Sequence, residues 1–85
     1  REPQVGWTTF FSFIVGSVGD DANLEWELDY GDGTIESGDF LLRRGSRSVF
    51  NIPYTYHDVY EGDVTLTVLH NGDIVDQETL VIDVQ

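Results

Sequence analysis

Sixteen of the 85 residues are Asp or Glu, against four Arg, no Lys and two His, so the formal charge is 4 − 16 = −12. Chemistry in such a chain has to come from carboxylate oxygens or from the two imidazoles. Asp29, Asp32 and Glu36 form a first candidate group, a set of oxygens suited to Ca²⁺, with Asp20, Asp21 or Asp39 joining them if neighbouring loops converge. Their spacing is not that of a helix–loop–helix calcium site. Asp32 stands between Gly31 and Gly33, where a carboxylate that accepts backbone N–H groups holds a tight turn. The expectation is this structural role, with Ca²⁺ the one cofactor left open and no other foreseen.

Catalysis has few candidates. His57 adjoins Asp58 in an expected loop, and His70 flanks Asn71-Gly72. No G-x-S-x-G nucleophile motif occurs. Paired carboxylates suit glycoside hydrolysis, but a sandwich of this size offers little cleft for a substrate. The chain therefore reads as a non-enzyme. Binding has a better candidate. Arg43, Arg44 and Arg47 place three of the four cations within five positions, beside Phe40, Leu41 and Leu42. A guanidinium fork suits an acidic neighbour or an anionic glycan, while the competing role is charge balance against the domain's own acids. The segment Phe40–Arg47 is the expected contact loop, with Phe40, Arg43, Arg44 and Arg47 as binding residues.

The elements that must position these residues repeat with period two. Leu24, Trp26, Leu28 and Tyr30 alternate with Glu25, Glu27 and Asp29, the pattern of a half-buried strand. Trp7 to Val15 reads as a second strand, with Trp7, Phe11, Phe13 and Val15 inward. Phe50, Ile52, Tyr54 and Tyr56 form a third, in which Pro53 requires an edge or a bulge. Val64 to His70 and Ile74 to Val84 flank Asn71-Gly72, a hairpin signal with positive φ at both turn residues. No segment has helical spacing over three turns. Trp7, Phe11, Phe13, Trp26 and Phe50 are assigned to the core, with Trp26 and Leu28 at its centre. Six or seven short strands with turns at these intervals predict an all-β antiparallel sandwich.

Composition removes several classes of partner. A charge of −12 opposes nucleic acid and anionic membranes, which need a positive footprint. No apolar run approaches the roughly 20 residues of a helical membrane span. The absence of Cys excludes disulfides and thiolate metal sites. An acidic surface without Lys suits high salt, where the Debye length falls to about 3 Å and self-repulsion is screened, so a marine or halophilic setting is expected. Length predicts one domain over residues 1–85. The start at Arg1 suggests a piece of a longer chain, with Arg1 to Gln4 as the remnant of a linker.

Leu28-Asp29-Tyr30-Gly31-Asp32-Gly33-Thr34 resembles the W-D-F-G-D-G-S signature of the PKD (polycystic kidney disease) domain. Tyr54-Thr55-Tyr56 is similar to that family's H-T-Y, and Gly62 to Val68 to its G-T-Y-T-V-T-L-T-V strand. The likeness covers Trp7 to Val84. Leu28 stands where the family has Trp, with Trp26 on the same face, and the segment between Tyr56 and Gly62 is longer than the family's. The resemblance implies an Ig-like β-sandwich of about seven strands. It implies a non-catalytic module of extracellular, cell-surface or virion proteins, such as surface layers and adhesins. Neighbouring domains and surface proteins are the implied partners. Glycan binding, or an accessory place beside a secreted hydrolase, is the alternative. An odd strand number would send the chain ends to opposite poles, as an in-line spacer requires. Tyr60, in Asp58-Val59-Tyr60-Glu61-Gly62, resembles the corner tyrosine of such sandwiches, whose hydroxyl bonds back to the chain.

Overall fold

Alternating apolar and polar side chains build extended structure along almost the whole chain. The computed structural model describes residues 3–17 and 19–85. Among them are six strands: β1 (Thr8–Gly16), β2 (Ala22–Asp29), β3 (Ile35–Leu42), β4 (Arg47–Thr55), β5 (Tyr60–His70) and β6 (Asp73–Val84). Every pairing is antiparallel. The strands make a two-stranded sheet, β1-β4, and a four-stranded sheet in the order β3-β2-β5-β6. The all-β, two-sheet architecture is as expected. The strand number is six rather than seven.

The inner face of the large sheet is the apolar set read from β2. Leu24 and Leu28 are buried, and β5 adds Val64, Leu66 and Val68. Phe11, Phe13 and Val15 of β1 close the core from the other side. Leu28 is fully enclosed. Trp26 is only half-buried, because its indole lies over the open backbone of Gly38 on β3 and against Phe50 at 5.8 Å. It forms the rim of the core instead of its centre. Trp7, expected inside, is 41 % exposed. It follows the turn that Gln4 and Trp7 close through a 3.1 Å backbone bond, one residue before β1 begins.

The relation between the sheets follows from aromatic contacts. Phe50 of β4 reaches Trp26 of β2 and, at 5.1 Å, Phe40 of β3. Strand β4 therefore covers β2 and β3. Its neighbour β1 brings Phe11 against Tyr30 after β2, and Phe11, Phe13 and Val15 share one core cluster with the sealed inner residues of β5. Among the described residues the core cluster reaches β6 only from Ile82 onward, and Leu80 remains 39 % exposed.

Local chemistry fixes the connections. The β5–β6 hairpin turns on Asn71 (φ 53°) and Gly72 (φ 86°), between the paired His70 and Asp73, as the Asn-Gly signal requires. Strand β4 accommodates Pro53 because β1 is its sole partner, leaving an open edge that needs no donor. The segment Ile35–Leu42 showed no clean alternation, yet it pairs with β2 from Asp29↔Ile35 to Ala22↔Leu42. Phe40 to Leu42 therefore belong to strand β3 and Arg47 begins β4, so only residues 43–46 of the expected contact loop form a turn.

The chain ends meet at one pole. Gln85 N donates to Pro3 O at 3.1 Å, and Gly6 N to Tyr56 O at 3.0 Å. Six antiparallel strands return the chain to its starting side, where seven would not. This corrects the expectation of ends at opposite poles. Of the expected linker remnant, Pro3 and Gln4 are held by backbone bonds, while Arg1 and Glu2 lie outside the described residues.

Candidate functional site

Two sites carry the residues singled out by chemistry. The first is the Gly31–Gly33 turn after β2. Asp29 Oδ1 accepts Gly31 N at 2.9 Å and Asp32 Oδ1 accepts Thr34 N at 3.0 Å. Asp32 Oδ2 accepts the Tyr54 hydroxyl at 2.6 Å, and Glu36 Oε1 accepts the Tyr30 hydroxyl at 2.7 Å. The three carboxylates thus sit around one turn, each already bonded to a backbone N–H or a phenol. Among the described residues no group of three His, Asp or Glu side chains is placed to hold a metal ion.

Four tyrosines support this turn. Tyr30 and Tyr54 stack with centroids 3.7 Å apart, and Tyr56 stacks on Tyr60 at 5.7 Å. Tyr56 donates to the Tyr30 carbonyl at 2.9 Å. Tyr60 donates to Asp63 O at 2.7 Å, three residues downstream, where a corner tyrosine's hydroxyl bonds upstream. Gly31 has φ 87°, and a Cβ there would collide with the Tyr60 hydroxyl. Only glycine fits under that ring. Burial, reinforced by the Glu36 bond, pushes the Tyr30 phenol well above its usual range. Burial does the same to Tyr56, with nearby acids adding to it. Partial burial alone would raise Asp32, but its bonds from Tyr54 and Thr34 outweigh it and hold the carboxyl below the ordinary range. The tyrosine rings face one another and do not form an exposed row.

The second site is the Arg-rich turn between β3 and β4. Arg44 N donates to Asp21 Oδ1 at 2.7 Å and Gly45 N to Ser17 Oγ at 3.1 Å. These bonds tie the turn to the β1–β2 connection, a role for Asp21 and Ser17 that no sequence pattern announced. The guanidinium groups of Arg43 and Arg44 lie 3.9 Å from Asp21 and Asp20. Both pairs are exposed, so each contributes about 0–1 kcal/mol. Phe40 is half-buried against Phe50, Leu41 is 47 % exposed and Leu42 is buried. Arg47 is exposed where β4 begins, opposite Gly16. The expected binding residues therefore divide. Phe40 belongs to packing, Arg43 and Arg44 to a charge-balanced turn, and Arg47 to the end of the small sheet. His57 is exposed and His70 half-buried.

Charge is polarised between the two sheets. The outer face of the large sheet carries Glu25, Glu27 and Asp29 on β2, Asp39 on β3, Glu61 and Asp63 on β5, and Asp83 on β6. An open depression of about 460 Å³ on that face is lined by Asn23, Glu25, Asp39 and Leu41. The small sheet contains no acid at all. Its outer face presents Phe10 (63 % exposed), Ile14 (52 %) and Val49 (66 %), with Pro53 opposite Phe10 and Arg47 at its upper end.

Comparison of the chain with protein-family models, with curated proteins and with solved structures finds no match in any of the three.

Proposed function

We propose that this domain is a non-catalytic docking module of an extracellular, cell-surface or virion-surface protein, built on a PKD-like Ig sandwich. The observation that carries the reading is the polarity of the two faces. On a body of charge −12, the acid-free outer face of β1-β4 exposes Phe10, Ile14 and Val49 and ends at Arg47 beside the Arg43–Arg44 turn. Exposed apolar side chains grouped on one face mark contact surfaces on soluble domains. The cations at its end orient an acidic partner more than they hold it. The Y-G-D-G turn and its tyrosines serve the fold of the same module. Because Pro3 and Gln85 adjoin, any chain joined at these ends would enter and leave at one pole, a geometry suited to docking more than to in-line spacing.

The test is hydrogen exchange and cross-linking on the intact parent protein in its surface assembly. Protection confined to Thr8–Gly16 and Arg43–Thr55 supports the reading. Neutralising Arg43, Arg44 and Arg47 together then weakens association at low salt while leaving the isolated fold intact. Protection on the acidic face of β2-β3, with the small sheet fully exchanging, refutes it.

A further inference from the structure

The four sheet edges are not equally protected. Strand β3 carries Glu36 and Asp39, β6 carries Asp73, Asp76, Glu78 and Asp83, and β4 carries Arg47 and Pro53. Charges and prolines of this kind keep edges from recruiting further strands. Strand β1 has none. Its nine residues, Thr8–Gly16, contain no charge and no proline, and β4 is its sole partner.

Beside that edge lies an uncovered shelf. Val64, Leu66 and Val68 of β5 face the core, and their partners on β6 are Leu80, Glu78 and Asp76. These three therefore point to the same inner side. The core cluster joins β1 to β5 but takes in β6 only from Ile82 onward: Leu80 is 39 % exposed, and Asp76 and Glu78 are half-buried with no Arg within 4.0 Å among the described residues. At the far end of the same shelf Pro3 meets Gln85, and Val5 packs on the core. That segment borders the chain just after β6 for a few residues only. The remaining slot, Asp76 to Leu80, is five residues long, about 17 Å at the usual strand rise.

We infer that the β1 edge, over the Asp76–Leu80 shelf of β6, is an acceptor for one extended segment of another protein in which basic and apolar side chains alternate. The backbone of the incoming segment bonds the free N–H and C=O groups of β1, the mode of strand addition. Its inward side chains, every second residue, are the basic ones: they meet Glu78 and Asp76 with their charged ends, and the methylene stem of the one above Leu80 covers that side chain, while the apolar residues face outward. Two carboxylates on an inner face without a cationic partner are costly to cover with anything else. The inference does not rest on the docking face proposed above, which lies on the outer side of the small sheet.

Capped seven-residue peptides of alternating Val and Lys, or of alternating Val and Glu, titrated into the isotope-labelled domain test it by amide NMR. The Val/Lys peptide is expected to shift amides of Thr8–Gly16 together with Asp76, Glu78 and Leu80, at a Kd below about 1 mM. The Val/Glu peptide should bind at least about tenfold more weakly, as two partly exposed ion pairs imply. Asp76→Lys with Glu78→Lys should reverse this preference, with an otherwise unchanged spectrum showing an intact fold. The inference is overturned if neither peptide perturbs β1, if the shifts map to β4 or β3, or if the double variant keeps the original preference. It is equally overturned if β1 amides shift with protein concentration alone, which would assign the slot to a second copy of this chain.

Discussion

Gly31 and Gly33 provide an internal comparison in which backbone and packing costs separate. Both have positive φ, 87° and 94°, within the same turn. A Cβ at Gly33 meets nothing within 4 Å, whereas one at Gly31 strikes the Tyr60 hydroxyl and approaches Asp63 O to 2.7 Å. Gly33→Ala therefore pays the left-handed backbone cost alone, about 1–2 kcal/mol. Gly31→Ala incurs the same backbone cost and must also displace Tyr60 or the Asp63 backbone. Overpacking of this sort costs about 1–3 kcal/mol more, and moving Tyr60 breaks its bond to Asp63 O, worth about 0.5–1.5 kcal/mol. The expected totals are about 1–2 kcal/mol for Gly33→Ala and about 2.5–6.5 kcal/mol for Gly31→Ala. The second is a large fraction of the roughly 5–15 kcal/mol that holds a domain folded.

Urea unfolding followed by tryptophan fluorescence measures both. Tyr60→Ala completes the cycle. It removes the obstructing ring, so the extra cost of Gly31→Ala should shrink by at least about 1 kcal/mol in that background, while the cost of Gly33→Ala stays constant. Equal costs for the two glycine variants, within about 0.5 kcal/mol, would refute the packing of Tyr60 over Gly31. A Tyr60→Ala background that leaves the difference intact would assign the obstruction to the Asp63 backbone alone.

Three further outcomes follow from the same geometry. Melting temperature should rise between about 0.01 and 2 M NaCl, because screening relieves repulsion on the acidic outer face of the large sheet, and Ca²⁺ should act no differently from Mg²⁺, since Asp29, Asp32 and Glu36 are already hydrogen-bonded; calorimetry across both series checks this. The bonded Asp32 favours the fold in its ionised form, so its contribution is full above the ordinary aspartate value of about 3.9 and fades as pH falls below it. Asp32→Asn should flatten that acid limb, whereas the raised phenols of Tyr30 and Tyr56 stabilise the fold below about pH 10 and lose that contribution as pH rises beyond it, a loss followed by ultraviolet difference spectra during alkaline unfolding. Leu28→Ala should cost about 2–5 kcal/mol and at least as much as Trp26→Ala, because Leu28 is fully enclosed and Trp26 is not; chemical denaturation ranks the two.

What the sequence made legible was set by period and by turn chemistry. Leu24 to Tyr30 alternates cleanly because one face of β2 is sealed and the other is wet. Asn71-Gly72 specifies its hairpin because both residues tolerate positive φ. Strand β3 was hidden for a physical reason: two of its four inward positions are not apolar, Gly38 under Trp26 and Glu36 bonded to the Tyr30 hydroxyl. The half-burial of Trp26 was hidden for the same reason, since it depends on a glycine from a strand with no pattern. At the Arg-rich turn the composition located the cations but not their partners. Asp20, Asp21 and Ser17 reach residues 43–45 only through the packing of two distant connections.

Strand parity has the largest functional consequence. One strand fewer than about seven brings Pro3 to Gln85 at one pole. It also leaves the small sheet two strands wide against four, too narrow to cover the large sheet whole. The strand left open over its first half is β6, the one with the most acids among the edges, and β1 is the edge without charge. A shelf that repels like molecules beside an edge that repels nothing is selective by construction. Other copies of an acidic domain are kept away by the field of the whole body, while a cationic extended segment is drawn to the one edge able to bond it. The acid-free outer face and the open edge thus share β1, and a partner spanning both would gain from each at once.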